Sequence, residues 1–121
     1  MATSKSTSPI RLRLIFDCGR ALGPGKADLL QGIAELGSIA AAGRALSMSY
    51  KRAWQLVEEL NGSFREPLVE ANKGGAGGGG ARLTRTGADV LARYTRMRAA
   101  AAEAVATEIA ALRKHLPPKA R

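Results

Sequence analysis

Six of the seven residues from Gly74 to Gly80 are glycine, and a run of that kind constrains the whole chain. Without side chains it can neither sustain a helix nor fill a core, and the entropy of ordering it is large. The tract is therefore expected to be a loop, mobile when free, that separates an N-terminal half from a C-terminal segment. Short extended stretches flank it, Pro67-Leu-Val-Glu-Ala71 before and Ala81-Arg-Leu-Thr84 after. Two such stretches around a glycine tip read as a β-hairpin. The spacing Gly75-x-Gly77-x-x-Gly80 also matches a dinucleotide-binding fingerprint on paper. That motif needs a helix starting at the glycines, whereas a strand is expected here.

Upstream, Ile10-Arg-Leu-Arg-Leu-Ile-Phe16 alternates apolar and charged residues and predicts a half-buried strand, after which Gly19, Gly23, Pro24 and Gly25 break the chain. From Lys26, the spacing of Leu29, Leu30, Ile33 and Leu36 predicts a helix closed by Gly37. Ser38 is a natural N-cap for a short helix over Ile39 to Leu46, and Ser49 for a third helix with Ala53, Leu56, Val57 and Leu60 turned inward. Downstream of the glycine tract, Thr84 or Thr86 can cap a final helix running to about His115. Leu91, Tyr94, Met97, Ala101, Val105, Ile109 and Leu112 form one stripe along it. About 30 residues of helix would reach roughly 45 Å, more than so small a domain can cover, so a second copy of the chain is the expected cover.

The chain has 121 residues, of which 45% are hydrophobic but only 4% aromatic, so its core is built from aliphatic side chains and favours packed helices. Nineteen Lys and Arg against ten Asp and Glu give a net charge of +9, which predicts attraction to a polyanion. A single cysteine, Cys18, and a single histidine, His115, leave no disulfide and no plausible metal ligand set, so no metal and no cofactor are expected. His115 has no Ser, Cys or acid pair near it in sequence, and no enzyme activity is expected. No apolar run is long enough for a membrane span, and Met1 to Pro9 is polar and lacks the centre of a secretion signal. A cytoplasmic protein is the expectation.

Strand, helix, short helix, tight turn, capped helix and glycine-tipped hairpin, in that order, predict a mainly α chain with a small β-hairpin: a winged helix-turn-helix with a long C-terminal dimerisation helix. Ala42-Gly43 supplies the small residues at the helix crossing and Ser47-Met48 the turn. The outer face of the helix over residues 49–61 then carries Ser49, Tyr50, Lys51 and Gln55, the candidates for contact with DNA. Lys can donate to guanine, Gln can pair with adenine, and hydroxyls reach phosphates or base edges. Arg52 lies on the flank, placed for a phosphate. Trp54 either touches the sugar-phosphate backbone or packs beneath the wing. Lys73 and Arg82 flank the tip and either meet phosphates or the minor groove, or are simply solvated. Arg85 leads into the last helix, where Arg93, Arg96 and Arg98 either extend a basic stripe or form a solvated face.

The string Ser49-Tyr50-Lys51-Arg52-Ala53-Trp54 stands within Leu29 to Asn61. After it come Leu68-Val69-Glu70, the glycine tract and Leu83-Thr84-Arg85-Thr86-Gly87. Together these segments resemble the N-terminal DNA-binding domain of the ModE family of molybdate-responsive regulators, over roughly residues 10 to 110. A broader likeness to LysR-type winged helices fits the same topology. The resemblance implies a dimeric transcriptional regulator that reads an inverted repeat in double-stranded DNA with one recognition helix per subunit. Members of that family also carry C-terminal molybdate-binding domains; none is expected in this chain, so oxyanion sensing is not carried over.

The expected organisation is a disordered tip over 1–9, the winged helix-turn-helix over 10–85, a dimerisation helix over 86–116 and a basic tail over 117–121. Two other functions fit the same residues. One is an architectural protein that binds DNA through charge alone; the other is a DNA-binding subunit whose sensor is a separate protein.

Overall fold

A computed structural model describes residues 9–72 and 80–118. The tip over 1–8, Lys73 with the glycines up to Gly79, and the tail over 119–121 lie outside the described residues. The described residues form strands β1 (Leu14–Ile15) and β2 (Ala21–Leu22), then helices α1 (Pro24–Leu36), α2 (Ile39–Ala45) and α3 (Tyr50–Ser63). Strands β3 (Val69–Ala71) and β4 (Ala81–Leu83) follow, and helices α4 (Arg85–Ala104) and α5 (Ala106–Arg113) close the chain. The fold is mostly helical with two small antiparallel strand pairs, β1 with β2 and β3 with β4, as a winged helix-turn-helix requires.

The first strand is shorter than the alternating pattern suggests. Leu12 and Leu14 do turn inward while Arg11 and Arg13 stay exposed. The hydrogen-bonded ladder, however, is limited by its partner. A 3-10 turn at Asp17–Gly19 and the helix start at Pro24 leave only Ala21 and Leu22 to pair. Alternation records which face is buried, whereas strand length needs a neighbour. Helix α1 begins two residues before Lys26, because Pro24 at its first position has its φ preset and lacks only an N–H that would be unpaired anyway. It ends at Gly37, which takes the left-handed conformation (φ 71°) and donates its N–H to the Ile33 carbonyl at 2.9 Å.

The core lies where α1, α2 and α3 meet. Leu29, Leu30 and Ile33 of α1, Ala42 of α2, and Ala53, Val57 and Leu60 of α3 are buried, together with Leu68 and Val69 beneath the wing. Each buried Leu or Ile contributes about 1.5–3 kcal/mol by leaving water. The helices cross where side chains are smallest. A Cβ on Gly32 would stand 2.9 Å from that of Ala42, so α1 and α2 touch almost backbone to backbone.

The last helix corrects the expected single rod. The helix is interrupted at Val105, between α4 and α5, although Val105 still donates to the Ala101 carbonyl and accepts from Ile109. Tyr94 is the last buried residue of α4 and α5 has none, so little tertiary packing backs the helix where it breaks. Tyr94 also leaves the stripe assigned to a second copy. It is 1% exposed, and its hydroxyl donates to the Leu12 carbonyl at 2.6 Å. Burial raises the Tyr94 pKa above its ordinary value of 10.0. Arg98 likewise leaves the basic stripe. Its guanidinium stacks 5.2 Å from the Tyr94 ring and lies 3.7 Å from the buried carboxylate of Asp28.

Candidate nucleic-acid interface

Capping sets the direction of each helix of the motif. Ser38 Oγ accepts from Ala41 N at 3.1 Å and Ser49 Oγ accepts from Arg52 N at 3.0 Å, so each N-terminus has one orphan donor satisfied. Between them the turn is tight. Met48 N donates to the Gly43 carbonyl at 2.9 Å, and Ser47 adopts a left-handed conformation (φ 60°) that a residue with a Cβ rarely takes.

Helix α3 has three faces. Ala53, Leu56, Val57 and Leu60 are buried, while Lys51, Gln55 and Glu58 are exposed on the opposite side. Tyr50 is 62% exposed and stands edge-on to Trp54 with ring centroids 6.1 Å apart. Trp54 itself is half-buried against the core, in a groove of about 570 Å³ shared with Ile39 of α2 and Ala71 and Ala81 of the wing strands. Its Nε1 is enclosed and finds no acceptor among the described residues. Ser49, Tyr50, Lys51, Arg52 and Gln55 thus share the exposed surface of one capped helix, and Trp54 sits at its edge beneath the wing.

The wing is held by its roots. Val69, Glu70 and Ala71 pair with Leu83, Arg82 and Ala81. Asn61 clamps the first strand to the end of α3: its Oδ1 accepts from Leu68 N at 2.8 Å and Val69 N at 3.0 Å, and its Nδ2 donates to the Val69 carbonyl at 3.1 Å. The second strand is tied to α1, with Ala81 N donating to the Gly37 carbonyl at 2.9 Å. Arg82 is exposed and lies across the ladder from Glu70, with its Nε 3.2 Å from a carboxylate oxygen. Lys73 falls outside the described residues, so its relation to Arg82 is not part of this geometry. Thr84 caps α4, its Oγ1 accepting from Gly87 N at 2.9 Å, and this puts exposed Arg85 directly after the wing.

Sequence reasoning missed Asn61, whose three bonds reach backbone groups seven and eight residues away. The helix expected over residues 49–61 runs on to Ser63, which leaves Asn61 inside its last turn. The only sequence signal is an amide side chain near a helix end followed by a strand.

Comparison with related sequences identifies the family of this unit. The model of the bacterial regulatory helix-turn-helix proteins of the lysR family matches residues 26–88, more than half of the chain. The chain belongs to the lysR family of bacterial regulatory helix-turn-helix proteins. The lysR-type match runs from the first turn of α1 through the wing to the first turn of α4.

Among curated relatives, this lysR-family chain is 45% identical over 73 residues to the molybdenum-pterin-binding protein MopA of Rhodobacter capsulatus, covering 60% of this chain and 28% of the relative. It is 39% identical over 84 residues to the molybdenum transport protein ModE of Azotobacter vinelandii, covering 69% and 31%. With the DNA-binding transcriptional dual regulator ModE of Escherichia coli strain K12 the identity is 42% over 71 residues, covering 59% and 27%. The chain therefore spans less than a third of the length of these relatives. What is shared is a lysR-type DNA-binding unit like that of the ModE and Mop regulators. No helix of the described residues is long and apolar enough to cross a membrane.

Proposed function

We propose that the chain is the DNA-reading part of a transcriptional regulator that binds an inverted repeat in double-stranded DNA as a homodimer. One observation carries this reading: a helix capped by Ser49 presents Lys51 and Gln55 on its free face, with a wing rooted on its flank. In this reading Lys51 and Gln55 read base edges, Ser49 and Tyr50 assist at the helix entry, and Trp54 braces the helix beneath the wing. Arg52, Arg82, Arg85 and Lys73 neutralise phosphates. The work is binding and not turnover, and it belongs in the cytoplasm, where a bacterial regulator meets its DNA. The molybdenum in the relatives' names belongs to those proteins; the proposal concerns the part they share with this chain.

The dimer rests on the C-terminal helices. Met97 is 44% exposed, Leu112 63% and Leu116 65%, and Val105 and Ile109 are half-buried between them. Large apolar side chains along one exposed face favour a second helix as their cover. Two recognition helices placed one duplex turn apart, about 34 Å, require a near-palindromic site.

Selection of sites from a random duplex library at about 150 mM salt tests the reading, because weak charge-driven binding fades at that ionic strength. An enriched inverted repeat bound about 10³-fold more tightly than a scrambled copy is expected. Equal affinity for both duplexes overturns it in favour of an architectural protein that binds through its net charge of +9.

A further inference from the structure

The shoulder of α3 opposite the wing carries a second charged surface. At 100° per residue, Trp54 and Asn61 share one shoulder of the helix, Arg52 and Glu59 the other, and Lys51 and Gln55 lie between. The first shoulder holds the wing through Asn61. The second borders a groove formed with the β1–β2 hairpin and the first turn of α1. One stretch of it, about 500 Å³, is lined by Arg13, Arg20, Lys26 and Glu59. The adjoining stretch, about 320 Å³, shares Arg13, Lys26 and Glu59 and adds Arg52.

Charge here is unbalanced. Four cations face one carboxylate, and that carboxylate, on Glu59, is already engaged with Lys26 at 3.3 Å. Among the described residues, Arg13, Arg20 and Arg52 make no ion pair. Arg13 is also positioned in advance: its stem runs along Gly23, with Cγ 3.5 Å from where a Cβ of that residue would stand. The first turn of α1 holds no acidic residue, and Gly23 gives it no side-chain cap, so its free N–H groups add to the positive field.

We infer that this groove is a second backbone grip, which takes phosphate oxygens of the DNA strand bordering the major groove on the side away from the wing. The inference rests on the DNA-reading function proposed above. A helix seated in a major groove has a phosphate backbone along each shoulder, and here one shoulder has the wing while the other has the arginine-lined groove. Continuity with α3 through Arg52 assigns the groove to the duplex and not to a free anion.

The test compares the wild-type chain with Arg13→Gln/Arg20→Gln and Arg13→Lys/Arg20→Lys variants. Each is titrated with the selected duplex and its scramble between about 50 and about 300 mM salt. Both arginines are exposed, so circular dichroism should show unchanged helicity. Loss of two phosphate contacts per subunit, four per dimer, should lower the slope of log affinity against log salt by about 3.6 and weaken both duplexes alike, while the lysine pair keeps the slope. Ethylation of phosphates on one side of the recognition helix should also cease to interfere with binding by the glutamine pair.

An unchanged slope with wild-type specificity intact overturns the grip and leaves the DNA-reading function standing. Failure of the wild-type chain to bind any duplex removes both. If the slope is unchanged and inorganic phosphate alone shifts the Arg13 and Arg20 resonances, the groove is a free-anion site and the inference falls as well.

Discussion

A Cβ placed on Gly43 would stand 3.0 Å from the Cβ of Ala53, so α2 and α3 cross at a point with no room for another side chain. In the proposed reading, their crossing sets the angle at which the outer face of α3 is offered to DNA. Gly43→Val adds two methyl groups and a Cβ at this contact and should cost about 1–3 kcal/mol through overpacking. Urea denaturation gives the stability, and DNA affinity should fall further than the loss of folded protein explains. A variant as stable as wild type would show that the helices can separate without cost.

Asn61 satisfies three backbone groups at the root of the wing. Asn61→Ala leaves them without their partner at a half-buried site and should cost about 2–4 kcal/mol. Hydrogen exchange should locate the loss at Leu68 and Val69. Exchange rates there equal to wild type would mean that the strand pairing alone holds the root.

The Tyr94 hydroxyl makes stability depend on pH at the alkaline end. Burial raises its pKa in the folded state above the unfolded value of 10.0, so folding favours the protonated phenol. This contribution is complete below about pH 10 and is lost as pH climbs through the higher folded-state value. Tyr94→Phe should lower stability at pH 8 by about 1 kcal/mol, the worth of the bond to the Leu12 carbonyl, and should remove this part of the alkaline decline. Urea midpoints for the two proteins between about pH 8 and about pH 11 give the comparison.

Lys51 and Gln55 are exposed at the centre of the free face of α3. Replacing either by Ala should narrow the gap between the selected duplex and single-base variants by about 1–3 kcal/mol at one position of each half-site. Equal weakening on every duplex would make the residue a phosphate contact.

Ile109→Glu combined with Leu112→Glu places two carboxylates on the apolar face of α5, which has no buried residue of its own. Light scattering should report a monomer with wild-type helicity, and affinity for the full repeat should drop to that for a half-site. A dimer of unchanged mass would move the contact elsewhere.

Features that depend on neighbours in the chain were legible before any coordinates. Ser38, Ser49 and Thr84 cap their helices through bonds to an N–H three residues on, and the small pair Ala42-Gly43 sits at the helix crossings. Features that depend on distant partners were not. Helical periodicity puts Tyr94 on an apolar stripe, but only the path of the chain through Leu12 shows that the stripe begins inside its own core. Arg98 has the same spacing as a solvated arginine, yet it reaches Asp28, seventy positions away on α1. The cationic groove joins Arg13, Arg20, Lys26 and Arg52 from three separate elements, so no contiguous motif announces it.

The two strands of the wing are moored to different helices, one to α3 through Asn61 and the other to α1 through the Gly37 carbonyl. The number of residues between these moorings can therefore change without transmitting a displacement to Lys51 or Gln55. Closing a longer loop costs only about 0.6 kcal/mol for each doubling of its length. In the proposed reading, mutation can lengthen or shorten the reach of such a chain along DNA while the sequence it recognises stays the same, so span and specificity can drift as independent traits.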